Sequence, residues 1–156
     1  MGTGTTTGED TIFGALLEDH ERQRTLIAAL VETHGDSAER HEGFETLRRE
    51  LRAHAAAEER FFYVPLMQSD ASQEQARHSV AEHKELDDFV EQLEGYDMTA
   101  PQWLLTAREL EDRLVHHLDE EEEDVFPVAE EVLSDDERTE LASQYRADME
   151  RHRRDG

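Results

Sequence analysis

Histidine and glutamate residues recur in this chain at a spacing suited to metal binding. His54 and Glu58 are four residues apart, and His117 and Glu121 repeat the pair further along. In a helix, residues at this spacing lie on one face, so each pair can offer an imidazole nitrogen and a carboxylate oxygen to one ion. The chain contains no cysteine, so thiolate metal sites, cysteine nucleophiles and disulfides are excluded. Nitrogen and oxygen donors indicate iron, manganese or zinc.

Apolar residues flank both pairs in helical phase, which directs the pairs toward a protein core. The stripe around the first pair is Phe44, Leu47, Leu51, His54, Glu58 and Phe61. The stripe around the second is Ala107, Leu110, Leu114, His117, Glu121, Val125 and Val128. Steps of three and four residues are typical of a buried helix face. Because a buried unpaired carboxylate costs several kcal/mol, we expect a cation to compensate it.

Two further histidines occupy apolar stripes of their own. The first stripe is Phe13, Leu16, Leu17, His20, Ile27 and Val31. The second is Ala76, Val80, His83, Leu86 or Asp87, Val90 and Leu93. Four helices thus contribute one histidine each, and two add a glutamate. Six polar side chains at one level would disrupt a core if they only bonded one another, whereas a metal centre accounts for them together.

The size of this donor set favours two ions over one. A structural zinc takes four ligands in a tetrahedron, fewer than four imidazoles and two carboxylates supply. The set suits two ions bridged by the glutamates, each with two terminal histidines and an open position. Iron or manganese fits these donors better than zinc.

The remaining histidines are assigned to the surface by helical phase. His116 shares a solvated face with Glu120, although a pairing of His116 with Glu121 stays open as an alternative to His117. His78 lies five residues before His83, roughly 140° away around a helix, so both cannot point inward equally. We also leave open whether His78 or Asp87 contributes to the centre. His34, His41 and His152 fall in linkers or in the tail.

The patterning predicts an all-α fold, an up-down-up-down four-helix bundle with an appended C-terminal helix. Residues 1–9 are rich in Gly and Thr, and we expect a disordered tail there. The predicted helices, in chain order, run from about 10 to 33, from 36–43 to 67, from 72 to 93, from 101 onward with a bend near Pro127, and from 134. The predicted domains are therefore a bundle over 10–133 and a fifth helix over 134–156.

Two helix starts carry capping signals. Thr99 precedes Pro101, which favours a threonine cap with proline in the first turn. Ser134 and Glu137 have the spacing of a capping box that opens the fifth helix.

The charge balance restricts the partners. Asp and Glu number 40 against 16 Lys and Arg, a formal net charge of −24. Such a chain repels nucleic acid and anionic membrane surfaces. Its start has neither a basic flank nor an apolar core for secretion, and no apolar run is long enough to span a bilayer, so we expect a cytoplasmic protein.

Several of these segments resemble the hemerythrin-like (HHE cation-binding) domain family over about residues 10–133. The similar elements are His54-Ala-Ala-Ala-Glu58-Glu59 followed by Phe61-Phe62-Tyr63 and Pro65, His117-Leu-Asp-Glu-Glu121-Glu122 followed by Phe126-Pro127, Asp19-His20-Glu21, and Ala81-Glu82-His83. The resemblance implies a non-haem di-iron centre in a four-helix bundle, two iron ions bridged by oxide or hydroxide. Carried over by position, the terminal ligands are His20, His54, His83 and His117, and the bridging carboxylates are Glu58 and Glu121.

The chain departs from the oxygen-carrying members of that family. Those have a His-x-x-x-His pair on the third helix, where this chain has Ser79 four residues before His83. We therefore expect a protein that reacts with or senses O₂, peroxide or nitric oxide rather than one that carries oxygen. The alternatives are an iron storage, buffering or iron-sensing module without turnover, and a helical bundle stabilised by zinc. We also expect the fifth helix to offer a face for a homodimer or a partner.

Overall fold

The computed structural model describes residues 10–155, and helices account for most of that range. In chain order they are α1 (Ile12–Leu30), α2 (Ala38–Glu58), a π-helical turn (Glu59–Tyr63), α3 (Val64–Met67), α4 (Gln73–Gly95), α5 (Pro101–Glu120), a second π-helical turn (Glu121–Val125), α6 (Phe126–Val132) and α7 (Asp135–Asp155). The tail predicted for residues 1–9 lies outside this range.

Four long segments form the bundle: α1, α2 continuing into α3, α4, and α5 continuing into α6. Helix α1 packs against α2 and α5, and α4 packs against α5 and α2, so the four segments close into a ring. Helix α7 lies across α1 and α2. The predicted all-α architecture of four bundle helices and an added C-terminal helix is confirmed. No helix within residues 10–155 has the length and apolar character needed to cross a membrane.

One predicted cap is confirmed and one is wrong. Ser134 and Glu137 form a capping box, each side chain accepting from the other's backbone N–H. At the start of α5 the N-cap is Ala100, and its side chain makes no capping hydrogen bond. Thr99 does not cap because Asp97 Oδ1 accepts from both its backbone N–H, at 2.8 Å, and its hydroxyl, at 2.6 Å. The threonine hydroxyl is thus engaged in the preceding turn.

Both His-x-x-x-Glu-Glu segments run into a π-helical turn just before a proline, Pro65 in one and Pro127 in the other. The backbone N–H of Val64 bonds to the carbonyl of Glu59, five residues back. In an ordinary helix the proline ring would clash with the carbonyl four residues earlier, and the wider turn relieves this crowding.

The extra residue in each π-helical turn shifts the buried face by one position. Phe61 and Val128 were predicted to point inward, and both are only half-buried. Phe62 and Ala129, the residues that follow them, are fully buried instead. A strict 3.6-residue period cannot anticipate the shift, because the period itself changes at the turn.

The hydrophobic core consists of two clusters separated by a polar layer. Along α1, Phe13 and Leu16 belong to one cluster and Ile27 to the other, with His20 between them. Along α4, Ala76 and Leu86 belong to different clusters on the two sides of His83. The histidines therefore lie at the level where one cluster ends and the other begins.

Candidate metal centre

The structure brings the six predicted ligand residues together in this polar layer. All six are buried, the most exposed being His83 at 7%. Their donor atoms form two groups, each with its atoms within 4.8 Å of one another: His20, His54, Glu58 and Glu121 in one, and Glu58, His83 and His117 in the other. Glu58 belongs to both groups, whereas Glu121 belongs to one. The helices place one histidine each, as the periodicity predicts.

The inner atoms of the cluster are the Nε2 nitrogens and the carboxylate oxygens. Glu58 Oε1 lies 3.1 Å from His54 Nε2 and 3.1 Å from His83 Nε2. Glu121 Oε1 lies 2.9 Å from His20 Nε2. A single glutamate oxygen thus stands between imidazoles from two different helices.

These inner atoms fit a cation because hydrogen bonds do not satisfy them. The Nε2 atoms of all four histidines, both oxygens of Glu58 and Oε1 of Glu121 are buried without a hydrogen-bond partner in the described part of the chain. Leaving one buried polar atom unsatisfied costs about 1–3 kcal/mol, so seven at one point require compensation. Ions bound between imidazole nitrogens and carboxylate oxygens would provide it.

Three of the four histidines donate a hydrogen bond from Nδ1, the ring nitrogen on the outer side of the cluster, to a carboxylate on a different helical segment. The pairs are His20 Nδ1 with Glu122 (2.7 Å), His83 Nδ1 with Glu59 (3.0 Å) and His117 Nδ1 with Glu82 (2.6 Å). An ionised carboxylate only accepts hydrogen bonds, so each Nδ1 carries a proton, and Nε2 is the nitrogen that can offer a lone pair to a metal. Sequence reasoning missed these partners, although Glu59 and Glu122 are the second acids of the two repeats.

The fourth histidine, His54, is held by Tyr145 of α7. The Tyr145 hydroxyl donates to Asp19 Oδ2 at 2.6 Å and accepts from His54 Nδ1 at 2.6 Å. Arg153, also on α7, donates to Asp19 Oδ1 at 2.9 Å. Helix α7 is therefore part of the centre and not only an appendage. The sequence alone does not indicate this role, because Tyr145 has the spacing of an ordinary residue on the apolar face of the fifth helix.

Tyr63 contacts the cluster from the first π-helical turn. Its buried hydroxyl donates to Glu121 Oε2. Burial, with the nearby negative charge of Glu121, raises the pKa of Tyr63 well above its usual value, so the hydroxyl keeps its proton. The one-residue shift of the π-helical turn brings Tyr63 to this position, which explains why periodicity did not identify it.

In the absence of a metal, the charges around His20 and His83 favour their protonated forms. Burial lowers the pKa of His20, but Glu121 and Glu122 raise it more, to about 9. The pKa of His83 likewise rises to about 10 because Glu58 and Glu59 outweigh burial. Burial raises the pKa of Glu58, yet its interactions with the imidazoles of His54 and His83 hold it well below the ordinary range. The cluster's electrostatics therefore favour positive charge at its centre.

The residues left open by the sequence lie outside the buried cluster. The side chain of His116 is 66% exposed, whereas that of His117 is 3% exposed. Asp87 pairs with Arg52 at 2.9 Å on the surface. His78 is also exposed and lies beside Glu82. None of these three is in either donor group.

A cavity of about 460 Å³ reaches the centre from the side of α2 and α4. The residues that line it include the candidate ligands His54, His83 and His117, apolar side chains such as Val80, and Gln23. Gln23 is 1% exposed, and its amide nitrogen is buried without a hydrogen-bond partner among the described residues. The cavity therefore combines mainly apolar walls with one buried amide donor next to the candidate ligands.

Comparisons with known proteins show what this chain is similar to. The model of the hemerythrin HHE cation binding domain matches residues 11–129. The crystal structure of a hemerythrin HHE cation binding domain-containing protein from Mycobacterium kansasii superposes with a TM-score of 0.83 and 29% sequence identity, covering 92% of this chain and 87% of that one. A DNA nickase from Nostoc sp. is 26% identical over 94% of this chain. The chain spans only 42% of that relative's length.

Proposed function

Because the chain belongs to the hemerythrin HHE cation-binding domain family, we propose that its buried centre holds two iron ions and reacts with O₂, peroxide or nitric oxide. The observation that carries the proposal is the pair of donor groups that share Glu58. A carboxylate common to two groups is what two neighbouring ions require, and a single ion would leave part of the set unused.

The proposed ligands divide according to the two groups. His20 and His54, with Glu121, would hold one ion, and His83 and His117 would hold the other. Glu58 would bridge them, and we propose Glu121 as a second bridge. Iron suits these imidazole and carboxylate donors, and it would supply one-electron redox chemistry and open coordination positions.

The surrounding residues fix the protons that such chemistry needs. Glu59, Glu82, Glu122 and Tyr145 hold the Nδ1–H groups, which keeps the imidazoles oriented and increases their basicity. Tyr63 holds its proton toward Glu121. These contacts leave the Nε2 lone pairs facing inward.

The cavity would give a small ligand its route to the centre. Its mainly apolar surface suits an uncharged molecule of a few atoms, and the amide of Gln23 offers a hydrogen bond inside. We propose no nucleic-acid substrate: nicking is the activity of the much longer Nostoc relative, and a net charge of −24 opposes binding to a polyanion. A plasmid relaxation assay with iron-loaded protein should give no more product than the Glu58→Ala variant.

Metal analysis and absorption spectroscopy test the centre. Protein expressed in iron-replete medium is expected to contain two iron ions per chain and to absorb in the near-ultraviolet, as oxo-bridged ferric pairs do. His117→Ala should lose most of this iron, whereas His116→Ala, a matched change of the exposed neighbour, should retain it. One zinc per chain, or colourless iron-free protein, would contradict the proposal and select the structural zinc bundle.

Rapid mixing tests the reactivity. The absorption of the iron-loaded protein should change within seconds of adding peroxide to the oxidised form, or O₂ or nitric oxide to the reduced form. Ala55→Phe, at the cavity wall, should slow these changes without reducing the iron content, whereas Gln144→Ala on the exposed face of α7 should not. Stable iron binding with no spectral response to any of the three would favour the storage or sensing alternative.

A further inference from the structure

The carboxylate of Glu82 has two sides, and only one of them serves the buried centre. Its Oε1 accepts from His117 Nδ1 at 2.6 Å. Its other oxygen, Oε2, lies 3.1 Å from Nε2 of His78, on the same helix one turn earlier. The side chain of Glu82 is 14% exposed and that of His78 is 58% exposed, so the second contact is open to solvent.

A third side chain from the neighbouring helix completes this surface group. Glu120 Oε1, at the end of α5, lies 3.2 Å from the same His78 Nε2. One imidazole nitrogen and two carboxylate oxygens therefore converge, all within 4.8 Å of one another. Metal–ligand bonds of about 2.0–2.1 Å place adjacent donor atoms roughly 3.0–3.4 Å apart, and the 3.1 and 3.2 Å contacts match this spacing.

The surface group is built in the same way as the buried donor groups. His78 and Glu82 repeat the four-residue spacing of His54 and Glu58, and a glutamate from a second helix is added. The exposed acids Asp119, Glu123 and Asp124 lie close by in sequence on the same segment as Glu120. Their negative potential raises the local concentration of cations.

We propose that His78, Glu82 and Glu120 bind a divalent transition-metal cation, forming a site separate from the buried centre. A nitrogen and two oxygen donors suit Zn²⁺, Co²⁺, Mn²⁺ or Fe²⁺, with water filling the remaining positions. Because Glu82 also holds His117, this cation lies one side chain away from the buried centre. The surface site stands on its own geometry and does not depend on which metal the centre holds.

Calorimetric titration of the purified 156-residue chain with Zn²⁺ tests the site. The protein keeps whatever metal its buried centre carries. The wild type is expected to bind one additional equivalent, and His78→Ala and Glu120→Gln should bind it at least tenfold more weakly. His41→Ala is the matched control, because His41 is an exposed histidine beside a single carboxylate, Asp36, and should leave the titration unchanged.

The outcome separates this site from the buried centre. His78→Ala changes none of the six buried ligand residues, so its iron content and circular dichroism should equal those of the wild type. If the centre bound no iron, the difference in Zn²⁺ binding between the wild type and His78→Ala would still appear. Equal Zn²⁺ uptake by both proteins, or none beyond the buried centre in the wild type, would overturn the surface site.

Discussion

The two His-x-x-x-Glu-Glu repeats have the same sequence pattern but opposite surroundings. In the first, residues 54–63, the outer nitrogen of His54 bonds to Tyr145 beneath α7. In the second, residues 117–125, the outer nitrogen of His117 bonds to Glu82. Glu82 is partly exposed and also contacts the exposed side chain of His78. We call them the sealed repeat and the open repeat.

This difference shows that two separate rules build the centre. Residue spacing along one helix determines which atoms face inward, and it is the same in both repeats. The neighbouring helix determines which side chain bonds to the outer nitrogen of the histidine, and the two repeats have different neighbouring helices. Helix α7 brings an apolar stripe with one hydroxyl to the sealed repeat, whereas α4 brings a half-buried carboxylate to the open repeat.

Removing α7 should have the largest effect on stability, because the sealed repeat is covered by this helix. Ala142, Tyr145 and Met149 are each 1% exposed against the core, and burial of a large side chain contributes roughly 1.5–3 kcal/mol. A chain ending at Leu133 should therefore lose about 5 kcal/mol or more, comparable to the whole stability of a domain. Thermal melting followed by circular dichroism should show no cooperative transition.

Gln144→Ala, on the exposed face of the same helix, is the control and should melt like the wild type. If the shortened chain instead melted normally and lost only a dimer or a partner, α7 would be a docking element and the sealed repeat would not depend on it.

Metal removal should expose a pH dependence at the two histidines that contact the glutamates of the repeats: His20 with Glu121 and Glu122, and His83 with Glu58 and Glu59. In the metal-free protein the pKa values of His20 and His83, about 9 and about 10, exceed the usual 6.5. Because folding raises these pKa values, protonation of the two histidines stabilises the folded protein. This stabilisation is complete below about pH 6.5 and is lost as the pH rises through 9 to 10. The loss should be on the order of a few kcal/mol.

Urea unfolding of chelator-treated protein between pH 6.5 and 10 measures this loss. Metal-loaded protein is the control and should change less, since its imidazoles are held as neutral ligands. The chelated protein should also unfold at lower urea concentration at every pH, because metal binding stabilises the folded state. Metal-free stability that rose with pH would contradict the assigned charges.

Substituting the two outer partners compares the repeats directly. Tyr145→Phe leaves His54 Nδ1–H and Asp19 without their buried partner, at a cost of about 1–3 kcal/mol in unfolding free energy. Glu82→Gln keeps an oxygen acceptor for His117 at a more exposed position, so less than about 1 kcal/mol is expected. Urea unfolding measures both, and metal affinity should fall roughly tenfold or more for Tyr145→Phe. Equal losses of stability would remove the distinction between sealed and open.

The sequence predicted the parts of the molecule that depend on one helix at a time. Periodicity alone placed His20, His54, His83 and His117 on apolar faces, and the structure brings them together. The same reasoning favoured His117 over His116 without excluding His116, and the structure leaves the His116 side chain exposed. The inward direction of these side chains could be predicted because the phase of a regular helix follows from residue spacing.

The outer partners could not be predicted in this way because they come from other helices. His54 and Tyr145 are 91 residues apart, and His117 and Glu82 are 35 apart. Tyr63 was missed for a different reason, since the π-helical turn changes the period just before it. For Glu59 and Glu122 a signal did exist: each acid directly follows an inward glutamate and so faces the adjacent helix.

The smallest effect should come from Arg24, which distinguishes Glu122 from its counterpart Glu59. Arg24 lies 3.0 Å from Glu122 and 2.8 Å from Asp119, with its side chain 21% exposed. Glu59 contacts His83 from a position that is 40% exposed. Because partly exposed ion pairs contribute about 0–1 kcal/mol, Arg24→Ala should cost less than about 1 kcal/mol of unfolding free energy, and the loss should shrink in high salt.

Arg113→Ala, which removes an exposed pair with Glu85, is the control and should have no measurable effect. If Arg24→Ala weakened metal binding as much as Tyr145→Phe, the hold on the imidazoles would extend beyond their direct partners, and burial of the outer hydrogen bond would no longer explain the difference between the repeats.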